Sequence, residues 1–224
     1  RFVELNRDGL VDYLQSYYEV GSGLQESVLI NDGKRFTSVG WDLPECDNPP
    51  VNPPTQGCFI IKGNSPERIY DNGVRLADVN RDGFVDILKG LSGIQRVWIH
   101  NGISDWIQDT SWTIPECLTS PYNANGCFTT AESKDTGVRL ADVNGDGYTD
   151  IIHGMASLSK VYLYTPGSYW VHNTTWALPC ATNAAWCFVN SNYEDLGTRL
   201  EDLNGDGFVD IFMAREDSPN NGLA

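Results

Sequence analysis

The sequence has 224 residues, of which 41% are hydrophobic and 11% aromatic, which is enough to bury a core in one or two domains. Its formal net charge of −15 argues against partners that need a basic surface, namely nucleic acid and anionic membranes. No apolar run approaches the length of a membrane span, so membrane insertion is not expected.

One segment of the sequence recurs four times without gaps. The copies are RFVELNRDGLVDYL at 1–14, RLADVNRDGFVDIL at 75–88, RLADVNGDGYTDII at 139–152 and RLEDLNGDGFVDIF at 199–212. Such self-similarity is typical of arrays in which each repeat packs against its neighbours. We therefore interpret residues 1–224 as one array with repeats beginning near 1, 75, 139 and 199. Three repeats are complete and the fourth is partial.

Between these segments the sequence predicts β-strands. Residues 85–88 and 96–100 are rich in β-branched and aromatic side chains, and Gly, Asn and Ser bound them. No longer window sustains a helical period. We predict an all-β fold in which each repeat forms about four short antiparallel strands, the size of one β-propeller blade. A closed propeller takes about four to eight blades. The array is therefore expected to be part of a larger propeller or to be completed by another copy.

A second marker carries the cysteines in phase with the repeats. It is WDLPEC at 41–46, WTIPEC at 112–117 and WALPC at 176–180, and each is followed by a variable loop and Cys-Phe. An even number of closely paired cysteines favours disulfides and an oxidising compartment. Zinc is the competing hypothesis, but no Cys-x-x-Cys spacing or His cluster accompanies the cysteines. The predicted pairs are Cys46 with Cys58, Cys117 with Cys127, and Cys180 with Cys187.

The sequon Asn173-Thr174-Thr175 is a predicted glycosylation site. Together with the cysteines it favours a secreted or cell-surface protein. The chain opens at Arg1 without a visible signal peptide, which we interpret as a mature or trimmed product.

Each repeated segment contains an acidic loop of the form Asp-x-Asn-x-Asp-Gly-x-x-Asp, with Glu in the first place of the first copy. Calcium takes about six to eight oxygen ligands from flexible acidic loops. Side chains at loop positions 1, 3, 5 and 9 and the carbonyl at position 7 can supply them, while Gly at position 6 permits the turn. Without a cation the crowded carboxylates would repel one another. We therefore predict up to four Ca²⁺ sites.

The predicted ligands are four or five residues in each loop. They are Glu4, Asn6, Asp8 and Asp12; Asp78, Asn80, Asp82, Phe84 and Asp86; Asp142, Asn144, Asp146, Tyr148 and Asp150; and Asp202, Asn204, Asp206, Phe208 and Asp210. The alternative is that Asp-Gly marks only a hairpin turn. An EF-hand is excluded because position 12 carries no acid: it is Gln15, Lys89, His153 or Met213.

The loop, preceded by Gly-x-Arg-Leu and followed by a strand rich in Ile or Val, resembles the FG-GAP/VCBS repeat. The segment SVLINDGKRF at 27–36 is also similar to the outer strand of that family. The resemblance covers nearly the whole chain. It implies a β-propeller of the integrin α-subunit type, with Ca²⁺ held between the first two strands of each blade. The Trp-Pro-Cys…Cys-Phe loops depart from the family pattern.

Other residues recur in phase with the repeats. Arg1, Arg75, Arg139 and Arg199 are predicted to make an ion pair between blades or a hydrogen bond to a loop carboxylate. Trp41, Trp112 and Trp176 are predicted to pack in the core or between blades rather than to stack on sugars. The less regular Trp98, Trp106, Trp170 and Trp186 are the candidates for an exposed platform that stacks on sugars.

No catalytic constellation is present in the sequence, so no enzyme activity is expected. His100, His153 and His172 accompany no nucleophile motif. The first functional hypothesis is an extracellular structural or adhesive module that Ca²⁺ and disulfides stabilise, with itself or another extracellular protein as partner. The alternative is a lectin-like β-propeller that binds glycans.

Overall fold

The computed structural model describes residues 1–19, 22–44, 58–62, 69–117, 126–156 and 158–214. Within these ranges the first repeat contains β1 (Phe2–Val3), β2 (Asp12–Glu19), β3 (Gly23–Asn31) and β4 (Phe36–Val39). Two short strands follow, β5 (Ile60–Lys62) and β6 (Ile69–Asp71). The second repeat contains β7 (Val74–Ala77), β8 (Asp86–Leu91), β9 (Ile94–His100) and β10 (Trp106–Gln108).

The third and fourth repeats follow the same order. The third contains β11 (Val138–Ala141), β12 (Asp150–Met155), β13 (Leu158–Thr165) and β14 (Tyr169–Asn173). Two short 3₁₀ helices, Pro179–Ala181 and Ala184–Trp186, precede β15 (Thr198–Glu201) and β16 (Asp210–Met213). Within the described ranges, no helix has the length and apolar character that crossing a membrane would need.

Each repeat folds into its own sheet, and the strands of a repeat pair antiparallel in chain order. The exception is β5 of the first sheet, which pairs in parallel with β2. The second and third repeats form the four-stranded sheets β10-β9-β8-β7 and β11-β12-β13-β14. The first sheet adds β5 and β6 to its four strands, and β15 pairs with β16 in the fourth repeat. The predicted all-β fold with four-stranded antiparallel sheets is confirmed. The described residues do not close into a ring of sheets, so the propeller stays a prediction.

The middle sheets bury both faces, because consecutive sheets pack face to face. Adjacent residues of a strand point to opposite faces, so Ile87 joins the core shared with the first sheet while Leu88 joins the core shared with the third. Ile151 and Ile152 divide in the same way between the second and fourth sheets. The second strands of these two repeats, β8 and β12, are therefore buried along almost their whole length rather than at alternate residues.

A short backbone bridge links each repeat to the next. Thr129 pairs in parallel with Leu91 of β8 and antiparallel with Asp135, and Val189 pairs in the same way with Met155 and Asp195. In the first repeat β5 fills this place, between β2 and β6. Phe128 precedes Thr129 and packs so closely on Gly90 that a Cβ there would lie 2.9 Å from its ring. The Cys-Phe marker therefore fixes the path from one sheet to the next.

Candidate functional site

The four acidic loops lie at equivalent places in the fold, between the first and second strands of their repeats. They follow β1, β7, β11 and β15 and lead into β2, β8, β12 and β16. Each pair of flanking strands is antiparallel, so the loop closes a hairpin. The structure therefore brings the predicted ligands of each loop together in one hairpin.

The Asp at loop position 9 is a structural anchor. Asp86 is fully buried, and its Oδ2 accepts a hydrogen bond from the backbone N–H of Val79 at 2.9 Å. Its Oδ1 accepts from the backbone N–H of His100 at 2.8 Å. The carboxylate thus ties the start of the loop to the third strand of the sheet.

The same bidentate arrangement occurs in two other repeats. Asp12 accepts from the backbone N–H groups of Leu5 and Asn31, both at 2.8 Å. Asp150 accepts from those of Val143 at 3.1 Å and Tyr164 at 2.8 Å. Asp210 is half-buried and accepts from Leu203 at 3.1 Å. The motif suggests no such role, because the strand partner lies 14 to 19 residues beyond it.

Loop positions 1, 3 and 5 turn their oxygens into the loop itself. Asp78 accepts from the backbone N–H groups of Asp82 at 3.2 Å and Gly83 at 2.7 Å. Asn80 donates from Nδ2 to Asp82 Oδ2 at 2.9 Å, and Asp82 accepts at Oδ1 from Phe84 N–H at 2.8 Å. Equivalent bonds recur around Asp142, Asn144 and Asp146 and around Asp202, Asn204 and Asp206. In the first loop Glu4 accepts from Asn6 N–H at 2.8 Å.

Burial and neighbouring carboxylates make the anionic form of the anchor costly. Burial raises the pKa of Asp86 to about 7, against the backbone hydrogen bonds that favour its anion. The charges of Asp82 and Asp78 raise it further. Burial likewise raises the pKa of Asp150 to about 6, with Asp146 and Asp142 adding to the shift. In these two loops the carboxylates at positions 1 and 5 are therefore close enough to oppose ionisation of the Asp at position 9.

The donor chemistry of the loops suits a hard cation, since every loop offers carboxylate, amide and carbonyl oxygens. Among the residues that the structure describes, no group of three or more His, Cys, Asp or Glu side chains is arranged to hold a metal ion. The carboxylate oxygens instead accept hydrogen bonds from the loop backbone. Calcium binding by these residues therefore stays a prediction.

Successive loops contact one another. The Arg7 guanidinium lies 5.3 Å from the centre of the Phe84 ring, and that of Arg81 lies 5.5 Å from the Tyr148 ring. Gly145 holds the corresponding place in the third loop, where a Cβ would lie 2.5 Å from the Phe208 ring. Position 4 of one loop is thus matched to the aromatic residue at position 7 of the next.

A hydrogen bond adds to the contact between the second and third loops. Thr149 Oγ1 donates to the backbone carbonyl of Asp78 at 2.7 Å. These contacts connect residues about 70 positions apart, and the single-loop pattern gives no signal for them.

The recurring arginines pair with a residue that sequence reasoning missed. Arg75, Arg139 and Arg199 each bind the Asp four positions earlier, with guanidinium-to-carboxylate distances of 3.1, 2.7 and 2.7 Å. The partner is therefore not a loop carboxylate. The recurring Asp-x-Gly-x-Arg spacing is the signal that could have found it. The partners are Asp71, Asp135 and Asp195.

The same arginines lie over the Phe of the Cys-Phe marker. Arg1 lies 4.8 Å from the centre of the Phe59 ring, and Arg139 lies 4.9 Å from that of Phe188. Arg75 lies 5.4 Å from the Phe128 ring. A cavity of about 340 Å³ lies beside the first strands of three repeats, lined by Arg1, Arg75 and Arg139 among others. The arginines therefore support the junctions between repeats.

The structure agrees with some of the tryptophan predictions and contradicts others. Trp41 lies 6.1 Å from Trp106, and Trp112 lies 5.1 Å from Trp170, measured between ring centres, so both pack on the following repeat as predicted. Trp176 is 42% exposed. The prediction of an exposed platform is wrong for Trp98, Trp106 and Trp170, which are buried, and Trp186 is half-buried. The three buried side chains face the neighbouring sheet, and the spacing within one repeat gives no signal for that.

Two predicted disulfides are present, Cys117–Cys127 and Cys180–Cys187. Cys58 is disulfide-bonded, whereas Cys46 lies outside the described residues. Beside the first of these bridges, Lys160 of the third repeat donates a hydrogen bond to the carboxylate of Glu116 of the second. Both side chains are partly exposed, 28% for Lys160 and 35% for Glu116.

His153 lies near this ion pair, opposite Lys160 in the neighbouring strand, and His172 lies opposite Tyr162 on the same face of the sheet. His153 is buried and its Nε2 lies 3.0 Å from the carbonyl oxygen of Thr136. Burial lowers the pKa of His153 to about 4. His172 is exposed, with its ring 5.2 Å from that of Tyr162. The junction between the second and third repeats thus presents a carboxylate, an ammonium group and an imidazole.

Comparison with known proteins finds a likeness in fold. No family model matches the chain, and no curated protein matches its sequence. Eight chains of solved structures match. One is a lectin from Agrocybe aegerita, described by its specific recognition of non-reducing terminal N-acetylglucosamine. The likeness has a TM-score of 0.51 at 16% identity and covers 94% of this chain. The chain spans 44% of that lectin, and at this identity the likeness shows that the fold is similar to that of a lectin.

Proposed function

We propose that the chain is an extracellular carbohydrate-binding module whose sheets are blades of a β-propeller. The observation that carries the proposal is the likeness in fold, over 94% of the chain, to a lectin that recognises terminal N-acetylglucosamine. The face-to-face packing of successive sheets supports the blade interpretation. The two disulfides support the location outside the cell.

The group proposed to contact sugar is the polar cluster at the junction of the second and third repeats. Glu116 offers an acceptor and Lys160 a donor, and both are partly exposed. The exposed ring of His172 lies on the same face of the third sheet as Lys160, because strand pairing places it opposite Tyr162. Sugar hydroxyl and acetamido groups are bound by such combinations of hydrogen-bonding groups with a ring.

The test is a glycan array followed by calorimetry with oligosaccharides ending in N-acetylglucosamine. Wild-type protein is expected to bind, and Glu116→Gln to reduce binding at least about tenfold, since one charge-assisted hydrogen bond contributes about 1.5–3 kcal/mol. Glu132→Gln, an exposed carboxylate elsewhere, is the matched control. Absence of binding by folded wild-type protein contradicts the proposed function. Equal binding by Glu116→Gln and wild type contradicts only the assigned site.

The four acidic loops are proposed to bind Ca²⁺, as in the FG-GAP/VCBS repeats that they resemble. The ion would neutralise the carboxylates whose charges now raise the pKa of Asp86 and of Asp150, which would stabilise the hairpin. Asp78, Asn80 and Asp82 and their equivalents would hold it, with Asp86 behind them. In this proposal calcium stabilises the fold and does not contact the bound sugar.

A structural module that associates with its own copies is the second candidate. The observation favouring it is apolar surface on the first sheet, where Phe2 is 69% and Ile69 62% exposed. Ile69 lines a cavity of about 280 Å³, and Phe2 packs on Tyr13, which lines the same cavity. Large exposed apolar surfaces often serve protein contacts. Sedimentation velocity on wild type and Phe2→Asp, with Ile103→Asp as an exposed control, tests it. A wild-type monomer at all concentrations contradicts this candidate.

A further inference from the structure

The turn after β14 holds the asparagine of the sequon by its oxygen alone. Asn173 is the last residue of β14. Its Oδ1 accepts from the backbone N–H of Thr175 at 2.9 Å and from the Thr175 hydroxyl at 2.7 Å. It also accepts from Trp176 N–H at 3.2 Å. Asn173 Nδ2 donates no hydrogen bond to any residue that the structure describes. The nitrogen is therefore unused by the fold.

The second repeat contains the same turn without a nitrogen. Asp109 takes the place of Asn173, and its Oδ1 accepts from the backbone N–H and the hydroxyl of Ser111 at 2.9 and 2.6 Å. An acceptor oxygen is thus sufficient for the turn, and asparagine is not required for it.

A neighbouring repeat leaves this turn accessible. The third repeat packs beside the turn at Asp109, where the Tyr169 hydroxyl lies 2.7 Å from Ser111 Oγ. Thr110 and Ser111 nevertheless stay exposed. Thr174 and Thr175 are exposed as well. Access to Asn173 therefore does not depend on what packs beyond β14.

β14 is also the outer strand with the least protection against pairing. It is the outermost strand of its sheet and has five residues, against four in β4 and three in β10. Its sequence, Tyr-Trp-Val-His-Asn, contains no Lys, Arg, Asp, Glu or Pro. Free strand edges pair with other chains unless charge, proline, shortness or a cover prevents it.

We propose that Asn173 carries an N-linked glycan and that this glycan covers the free edge of β14. The Nδ2 lone pair attacks the anomeric carbon of a lipid-pyrophosphate-linked oligosaccharide, forming an N–C bond. The bond from that carbon to the phosphate oxygen breaks, the lipid pyrophosphate leaves with the electron pair, and Nδ2 releases one proton to solvent. The proposal depends on the extracellular location proposed above and not on sugar binding.

The first measurement is the intact mass of the full chain, secreted from cultured eukaryotic cells, before and after treatment with peptide-N-glycosidase. The wild type is expected to be heavier than its sequence by one N-glycan, and the enzyme to remove the excess. Thr175→Ser should keep the glycan, whereas Thr175→Ala and Asn173→Asp should lose it. Asn173→Asp is the matched control because Asp109 forms the same turn. A folded, secreted wild type at its sequence mass overturns the proposal, whatever the glycan array shows.

The second measurement addresses the covering of β14. The glycosidase leaves Asp at 173, so the treated and untreated proteins share the turn and differ in the glycan. Light scattering on heating should show association at lower temperature in the treated protein. Val171→Lys places a charge on the edge strand. Added to Asn173→Asp, it should restore the higher temperature at which association begins. If association begins at the same temperature with and without the glycan, the glycan does not cover the edge of β14.

Discussion

Asp86 and Asp82 belong to the same acidic loop but lie in opposite environments. Asp86 is fully buried and accepts backbone hydrogen bonds from two different parts of its sheet. Asp82 is exposed, and its hydrogen bonds to described residues all lie within its own loop. One motif therefore combines a carboxylate that builds the sheet with carboxylates whose crowding a cation would relieve.

The largest effect is expected from Asp86→Ala. It leaves two buried backbone N–H groups without acceptors, so the free energy of unfolding should fall by about 3 kcal/mol. Urea unfolding followed by tryptophan fluorescence should show this loss in calcium and in EDTA. Asp86→Asn keeps an acceptor and should lose less. If Asp86→Ala lost stability only in calcium, Asp86 would act as an ion ligand and its hydrogen bonds would not stabilise the sheet.

Asp82→Ala should separate the two kinds of carboxylate. Ligand binding stabilises by about 2.7 kcal/mol when calcium is about 100 times its dissociation constant, and this variant should lose that gain at its loop. In EDTA its stability should stay within about 0.5 kcal/mol of wild type. Thermal unfolding with and without calcium measures both, and Asp146→Ala and Asp206→Ala repeat the test. Equal losses of stability in calcium and in EDTA would favour the alternative that Asp-Gly marks only a hairpin turn and binds no ion.

His153 shows what burial does to a titratable group outside the loops. Burial lowers its pKa to about 4 from an ordinary 6.5, so the unfolded chain binds the proton more tightly. The stability that His153 contributes is therefore present above pH 6.5 and is lost as pH falls towards 4, by about 1–3 kcal/mol. Nearby Glu116 raises this pKa, while Lys160 and Arg139 lower it. The first repeat carries Gln15 at the equivalent position, so His153→Gln is a conservative test. This variant should make the denaturation midpoint less dependent on pH over this range. An unchanged slope would assign the acid sensitivity to other groups.

The smallest effect is expected from Arg81→Ala, which removes the cation–π contact between the second and third loops and leaves the hydrogen bond from Thr149 to Asp78 in place. Exposed cation–π pairs contribute about 0.5–1 kcal/mol, so the free energy of unfolding should fall by that amount. Arg35→Ala, whose side chain is 78% exposed, is the control. A loss no larger than that of the control would show that the Arg81 contact with Tyr148 does not stabilise the fold.

What the sequence predicts well is what lies close together along the chain. The hairpin around each acidic loop, the strand meander and the pairing of Cys117 with Cys127 all follow from spacing within one repeat. The bidentate role of Asp86 escaped prediction because its second partner, His100, belongs to another strand. The burial of Trp98 and Trp106 escaped because the first repeat, far away in sequence, covers them. Contacts between repeats become readable only when two repeats are compared position by position.

The matched residues where loops meet also bear on how such an array can grow. An arginine at position 4 faces an aromatic ring at position 7 of the next loop in two junctions, and a glycine faces Phe208 in the third. A duplicated third repeat placed after the first would set Tyr148 against Arg7 and fit. In its present packing the Phe208 ring leaves no room for a Cβ at Gly145. A fourth repeat placed after the second would therefore fit only if Phe208 moved to the kind of position that Phe84 takes over Arg7. Recombination between copies preserves the fold most readily where both partners of a junction move together.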